Sequence, residues 1–290
     1  MKLRLMFLGL IGCLLAGCWV QEAPESKDNE LSIVADKLTG EDSLMIARFA
    51  KKYKINVRFE RLSPEAILQR IRSQKYNADI DIIFTEDDDL RRELKLMNKL
   101  RVFEDDHLFE KLDRQFNNRH HLWLPVTHDP LILRRNKDSL QSCPAVDFSV
   151  WHKNDSAYPK LILPTGGNSQ TYRTKLAASR YKWLTNPPKH STYSTEKVYR
   201  LSDYVGRYYS SKDSTISRKN DCLYFLAQKK RTFSTFSSLS IFRYGRNSAV
   251  AEHFIAFCAA NAYHLASGRN QLPVNRSVSA NWHIQSLSIR

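Results

Sequence analysis

Glycine and proline are scarce, 9 and 10 in 290 residues. Their scarcity excludes a collagen-like chain or a long low-complexity region. Beyond the first twenty residues no apolar run is long enough to span a bilayer, so the body of the chain reads as soluble. The signatures of common hydrolases are missing too: there is no Gly-x-Ser-x-Gly, no His-Glu-x-x-His and no Cys-x-x-Cys. Without them the nine histidines, His120-His121 included, do not point to an enzyme. Acidic side chains are in deficit, 30 against 45 Lys and Arg. The deficit is uneven, since residues 1–100 hold 17 basic and 16 acidic side chains and residues 101–290 hold 28 and 14. What is present, 42% hydrophobic and 26% charged residues, suits a sizeable core in one large domain or two lobes.

Lys2 and Arg4 precede an apolar stretch from Leu5 to Leu15, with Ala16 and Gly17 ahead of Cys18. This is the layout of an export signal. Leu15-Ala16-Gly17-Cys18 resembles the lipobox of bacterial lipoproteins. The resemblance implies that residues 1–17 are removed and that Cys18 carries the lipid, palmitate among its acyl chains; an ordinary signal peptide is the alternative. Residues 18–30 read as a flexible tether, polar and patternless from about residue 20 on. Export implies an oxidising compartment, where Cys143, Cys222 and Cys258 allow one disulfide and a spare thiol. Cys258 lies on an apolar helical face and reads as a buried hydrophobe.

Strands are expected at LSIVA (31–35), INVRF (55–59) and ADIDIIFT (78–85). Between them, Thr39-x-x-Asp42 and Ser63-Pro64 open two amphipathic helices. Glu86 to Asp89 could be a cation site, but acids at the start of a helix whose far end holds Lys95 and Lys99 fit its dipole. The β-α-β-α-β-α series predicts a mainly parallel sheet flanked by helices. LWLPVTHDPLIL (122–133) reads as a crossover into a second lobe. There follow a strand at 161–163, the turn Pro164–Ser169, a helix at 170–181, a helix at about 195–211 and the strand CLYFL. TFSTFSSLSIF then returns the chain toward one long final helix, SAVAEHFIAFCAANAYHLA.

In this order, several segments resemble the periplasmic solute-binding proteins of bacterial ABC uptake systems, most closely the iron(III)-binding group. They are ADIDIIFTEDDDLRRELKLMNKL, HLWLPVTHDPLILRRNKD, PKLILPTGGNSQTYRTKLAAS, LSDYVGRYY and AEHFIAFCAANAYHLASGRNQLPVNRSV. The resemblance implies the two-lobed α/β periplasmic-binding fold (type II). The first lobe would be 31–124 and 236–290, the second 125–235. It also implies a monomeric, non-catalytic protein that captures a small ligand between the lobes for an ABC permease, with iron(III) as transported ligand and not as a cofactor.

Family members hold iron through two neighbouring second-lobe tyrosines and a tyrosine or histidine of the first lobe. Here the matching pair is Asp203-Tyr204, and the first-lobe position falls near Thr39. Asp203 and Tyr204 are therefore the candidate metal donors. Strand ends and helix starts facing a hinge select Thr39, Thr85, Asn168, Ser169 and Gln170 as ligand-binding candidates, and Tyr172 is a further tyrosine that could turn inward. Between 125 and 235 there are 19 Lys or Arg and 8 Asp or Glu, which suits an anionic solute or an anionic lipid surface. An exported hydrolase and a basic envelope-polymer binder remain alternatives. Export argues against a nucleic-acid partner, and Lys229-Lys230-Arg231 is too short to carry one.

Overall fold

The computed structural model describes residues 29–74, 79–136, 161–162, 183–184, 197–210, 221–225, 227–228 and 231–278. Strands β1 (Glu30–Ala35), β2 (Asn56–Arg61) and β3 (Ile82–Thr85) lie parallel in the order β2-β1-β3. Helix α1 (Gly40–Tyr53) connects the first pair, and α2 (Pro64–Gln74) follows β2. Thr39 caps α1 in a reciprocal capping box with Asp42. Ser63 Oγ accepts the Ala66 amide at the start of α2. Helix α3 (Asp88–Leu96) starts after Asp87, whose carboxylate accepts the Leu90 amide at 2.6 Å. The acidic run is thus a helix start with the charge its dipole favours.

Strand β1 is buried on both faces. Leu31, Ile33 and Ala35 join Phe49, Ile82 and Leu124 in one cluster, while Val34 joins Ile67, Ile71, Ile83 and Leu90 in another. That is why LSIVA is almost continuously apolar. Strand β2 is the outermost strand of the sheet, so its alternation buries less: Val57 is half-buried and Phe59 is 44% exposed.

A short helix α4 (His107–Glu110) leads to β4 (Leu124–Asn136), 13 residues long. Four more strands follow, β5 (Leu161–Ile162), β6 (Trp183–Leu184), β7 (Lys197–Arg200) and β8 (Asp221–Phe225), with the β9 (Ala227–Gln228) and β10 (Arg231–Thr232) pair and β11 (Ser234–Ile241) after them. Residues 124–130 of β4 pair with β11 and with β12 (Leu272–Pro273), whereas residues 131–136 pair with β7 and β8. One strand therefore serves two neighbourhoods, changing partners between Pro130 and Leu131. Its prolines fall where irregular pairing tolerates them: Pro125 stands opposite Ser238, beside a register shift at Ser237/Ser238. The parallel pairs are β1–β2, β1–β3, β5–β6 and β5–β7, and the strands around β4 are antiparallel, so the sheet is mixed where the sequence pointed to a mainly parallel one: β11 returns antiparallel between β3 and β4.

Two expected elements differ. Residues 197–200 of the expected 195–211 helix are strand β7, paired with Leu131–Arg134, and the helix α5 spans Leu201–Ser210. The expected long final helix is two, α6 (Ser248–Ala260) and α7 (Ala262–Arg269). Asn261 divides them, its side-chain amide donating back to Phe257 O at 2.8 Å. Cys258 is buried at 2% exposure on α6, as its apolar setting implied. Among the described residues no helix is long and apolar enough to cross a membrane.

Candidate functional site

The chain leaves β1 and β3 at the same edge of the sheet, and Asp36 ties the two ends together. Its carboxylate accepts Thr85 Oγ1 at 2.5 Å and the amides of Glu86 and Asp87 at 3.0 and 3.2 Å. Burial pushes this carboxyl above its ordinary value, with the Thr85 hydrogen bond working the other way. Thr85 is buried and also accepts the Asp87 amide at 2.9 Å. Thr39 Oγ1 donates to Asp42 at 2.8 Å and accepts its amide, within the α1 cap.

Behind this edge lies a buried ion-pair layer. The Arg269 guanidinium, at the end of α7, donates to Asp42 Oδ2 at 2.8 Å and to Glu86 Oε1. The same Glu86 carboxylate accepts Lys37 Nζ at 3.3 Å, Ser237 Oγ at 3.0 Å and Gln271 Nε2 at 3.2 Å. Burial favours the neutral acid, but the Arg269 and Lys37 charges outweigh it and hold Glu86 at about 2. Gly268 makes the layer possible: a Cβ there would stand 2.4 Å from Glu41 Cβ, so α7 reaches the start of α1 only without one. The Arg269 side chain is 1% exposed, whereas that of Lys37 is 46% exposed, so Lys37 is the cation of this layer that solvent reaches.

On the other side of the partner switch in β4, α5 begins at Leu201. Asp129, 1% exposed, accepts Ser202 N at 2.9 Å and Ser202 Oγ at 2.6 Å. A helix start normally leaves its amides open to an anion; here a carboxylate of the chain itself takes that place. Burial lifts Asp129 to about 6 against the lowering pull of Ser202 and Arg200. Next to it, the His128 ring packs on Phe116 at 4.6 Å and meets Ser234 Oγ at 3.1 Å. Burial brings His128 down to about 4, only weakly opposed by Asp113.

The expected site residues are distributed as follows. Thr39 and Thr85 stand at the edge formed by β1 and β3, both engaged with neighbouring carboxylates. Asp203 forms a two-pronged ion pair with Arg200, at 2.9 and 3.3 Å. Tyr204 is 5% exposed and packs with Ile132, Leu201, Val205 and Leu223, its ring 5.8 Å from that of Tyr199. Asn168, Ser169, Gln170 and Tyr172 lie outside the described residues, as do Cys18 and Cys143. Among the described residues no three His, Cys, Asp or Glu side chains are grouped so as to hold a metal ion. Lys37, Arg269, Gln271, Asp129 and Ser202 escaped the sequence reading, and Asp42 was read only as a helix cap. Gly268 was the one available hint, since a glycine inside a helix often marks a packing constraint.

No protein-family model matches the chain, and no curated protein is similar to it in sequence. Solved structures do match. Ferric iron-binding protein A of Mannheimia haemolytica, in an open conformation, superposes with a TM-score of 0.71 at 14% identity, covering 89% of either chain. The ferric binding protein of Bordetella gives 0.71 at 14%, covering 89% of this chain and 90% of its own. A Trichodesmium protein in complex with iron and citrate ligands gives 0.71 at 14%, covering 88% and 90%. The chain shares the two-lobed α/β fold of these structures. Such identities establish the fold, and function must be argued from the site.

Proposed function

We propose that the chain is an extracytoplasmic solute-binding protein whose lobes close on a small solute and deliver it to the permease of an ABC importer, tethered through lipidated Cys18. The observation that carries this reading is the partner switch within β4, which pairs with β11 and β12 up to Pro130 and with β7 and β8 from Leu131. Leu131 N donates to Phe233 O at 2.8 Å at that switch, one residue before β11 begins. A strand shared by two sheet neighbourhoods, with a returning segment beside its change of partners, suits a hinge. The pivot lies near 130–131 and 233–234, a few residues inside the expected lobe bounds of 124/125 and 235/236, so that residues 125–130, paired with β11 and β12, go with the first lobe and residues 131–233 form the second.

For the solute, an anion or an anionic iron(III) chelate fits the first lobe better than a bare ferric ion. A hard trivalent cation needs several negative oxygen donors open to it. The carboxylates of Asp36, Asp42 and Glu86 are turned onto Thr85, Arg269 and Lys37, and the accessible charge is the Lys37 ammonium. One structural neighbour holds iron together with citrate.

A native mass spectrum of protein purified without refolding tests the function. A small solute that dissociates on unfolding is the expected result. Turnover of generic ester or peptide substrates, with no retained or added solute bound, would replace this reading with the hydrolase. Binding of polyanions that collapses steeply with salt would favour the envelope-polymer binder.

A further inference from the structure

Asp129 and Ser202 sit on opposite sides of the partner switch. Asp129 belongs to the stretch of β4 paired with β11, opposite Thr235, whereas Ser202 opens the helix that follows β7. Their contact therefore spans the pivot at Pro130/Leu131, where a change of lobe angle must act. It is buried, doubly hydrogen-bonded and fixed at the first turn of the helix that bears Asp203 and Tyr204.

We infer that Asp129 is a positioning residue of the hinge, clasping the start of α5 and so setting the angle at which the second lobe faces the first. This rests on the two-lobed solute-binding reading above. The charged groups around it are Arg200 from the end of β7 and Glu86 from the turn after β3; β11 contributes the neutral Thr235, and the neighbouring His128 directs its ring to Ser234 and Phe116. Burial lifts the Asp129 carboxyl to about 6. Ionisation of such a group favours any arrangement that lets water reach it. Raising the pH through that value thus shifts the lobes away from the described angle, and lowering it restores that angle. Solute capture and release acquire a pH dependence from a residue that touches no solute.

Small-angle scattering of the full mature chain from pH 4 to 7.5 tests this, on the wild type, Asp129→Asn and His128→Gln. Asparagine keeps an acceptor for Ser202 and cannot ionise. The wild type and His128→Gln should change their radius of gyration with a midpoint near pH 6, a value the buried Asp129 sets. Asp129→Asn should stay constant and melt higher than the wild type at pH 7.5, by roughly 5 °C, with the difference vanishing at pH 4. The same transition persisting in Asp129→Asn, or no transition in the wild type, overturns the inference. A scattering curve with a single compact lobe would instead remove the two-lobed reading on which it stands.

Discussion

Glu86 and Asp129 are both buried acids close to the hinge, yet their surroundings set them apart. Burial raises both. At Glu86 the Arg269 guanidinium and the Lys37 ammonium reverse the effect and leave the carboxyl at about 2. At Asp129 the contacts are an amide and a hydroxyl of Ser202, with Arg200 pulling in the same direction, and burial prevails at about 6. The first arrangement is a fixed ionic joint between α1, β3 and α7. The second responds to pH. Desolvation alone thus does not decide whether a buried acid is rigid or switchable; the charge of its immediate partner does.

The largest effect should come from removing the cation of the fixed joint. Arg269→Met leaves Asp42 and Glu86 buried without their shared guanidinium, and about 3–5 kcal/mol of stability should be lost in urea unfolding. A loss under about 1 kcal/mol would mean that water already reaches the layer. Gly268→Ala, which drives a methyl group into Glu41, should cost roughly 1–3 kcal/mol. Because this change acts through the spacing of α1 and α7, it should add little once Arg269 is already Met; full additivity of the pair would show the two to be independent.

The pH profile sharpens the same contrast. Glu86, depressed to about 2, contributes stability that is present above its ordinary 4.5 and fades as the pH falls toward 2. Asp129, raised from 3.8 to about 6, contributes stability that is present below 3.8 and fades as the pH rises through 6. His128, depressed from 6.5 to about 4, acts in the opposite sense to its neighbour: its contribution is present above 6.5 and fades toward pH 4. Between pH 4 and 6 the two slopes of this adjacent pair should largely cancel in the wild type. Asp129→Asn should expose a stability that rises with pH and His128→Gln one that falls, each by up to about 2 kcal/mol in chemical denaturation. Parallel profiles for all three proteins would remove the assigned values. The smallest effect expected is that of Tyr204→Phe, about 1 kcal/mol or less, because the ring packing with Val205 and Leu223 is kept.

Much of the β1–β3 region was legible because its signals are local. Thr39-x-x-Asp42 announces a cap, Ser63-Pro64 a first turn, and LSIVA a strand covered on both faces. Local pattern misled at 197–200, where Val198, Leu201 and Tyr204 share a helical spacing while pairing with β4 makes the first of them part of a strand. The long final helix was misread for a related reason, since nothing in the apolar periodicity marks the break at Asn261. The ionic layer was least legible. Asp42 looked like a capping residue and Arg269 drew no reading at all; their meeting depends on the close approach that Gly268 permits between segments more than two hundred residues apart.

The visible absorption spectrum of solute-free protein after iron(III) is supplied from a weak chelator, compared with a supply of ferric citrate, tests the character of the site most directly. With Asp42 and Glu86 held by resident cations, Asp36 by Thr85 and two backbone amides, and Tyr204 buried in an apolar cluster, we expect no phenolate-to-iron charge-transfer band in either case, and a rise in melting temperature with ferric citrate or citrate alone. A band that develops with iron(III) and is lost in Tyr204→Phe would contradict this and establish a bare ferric site.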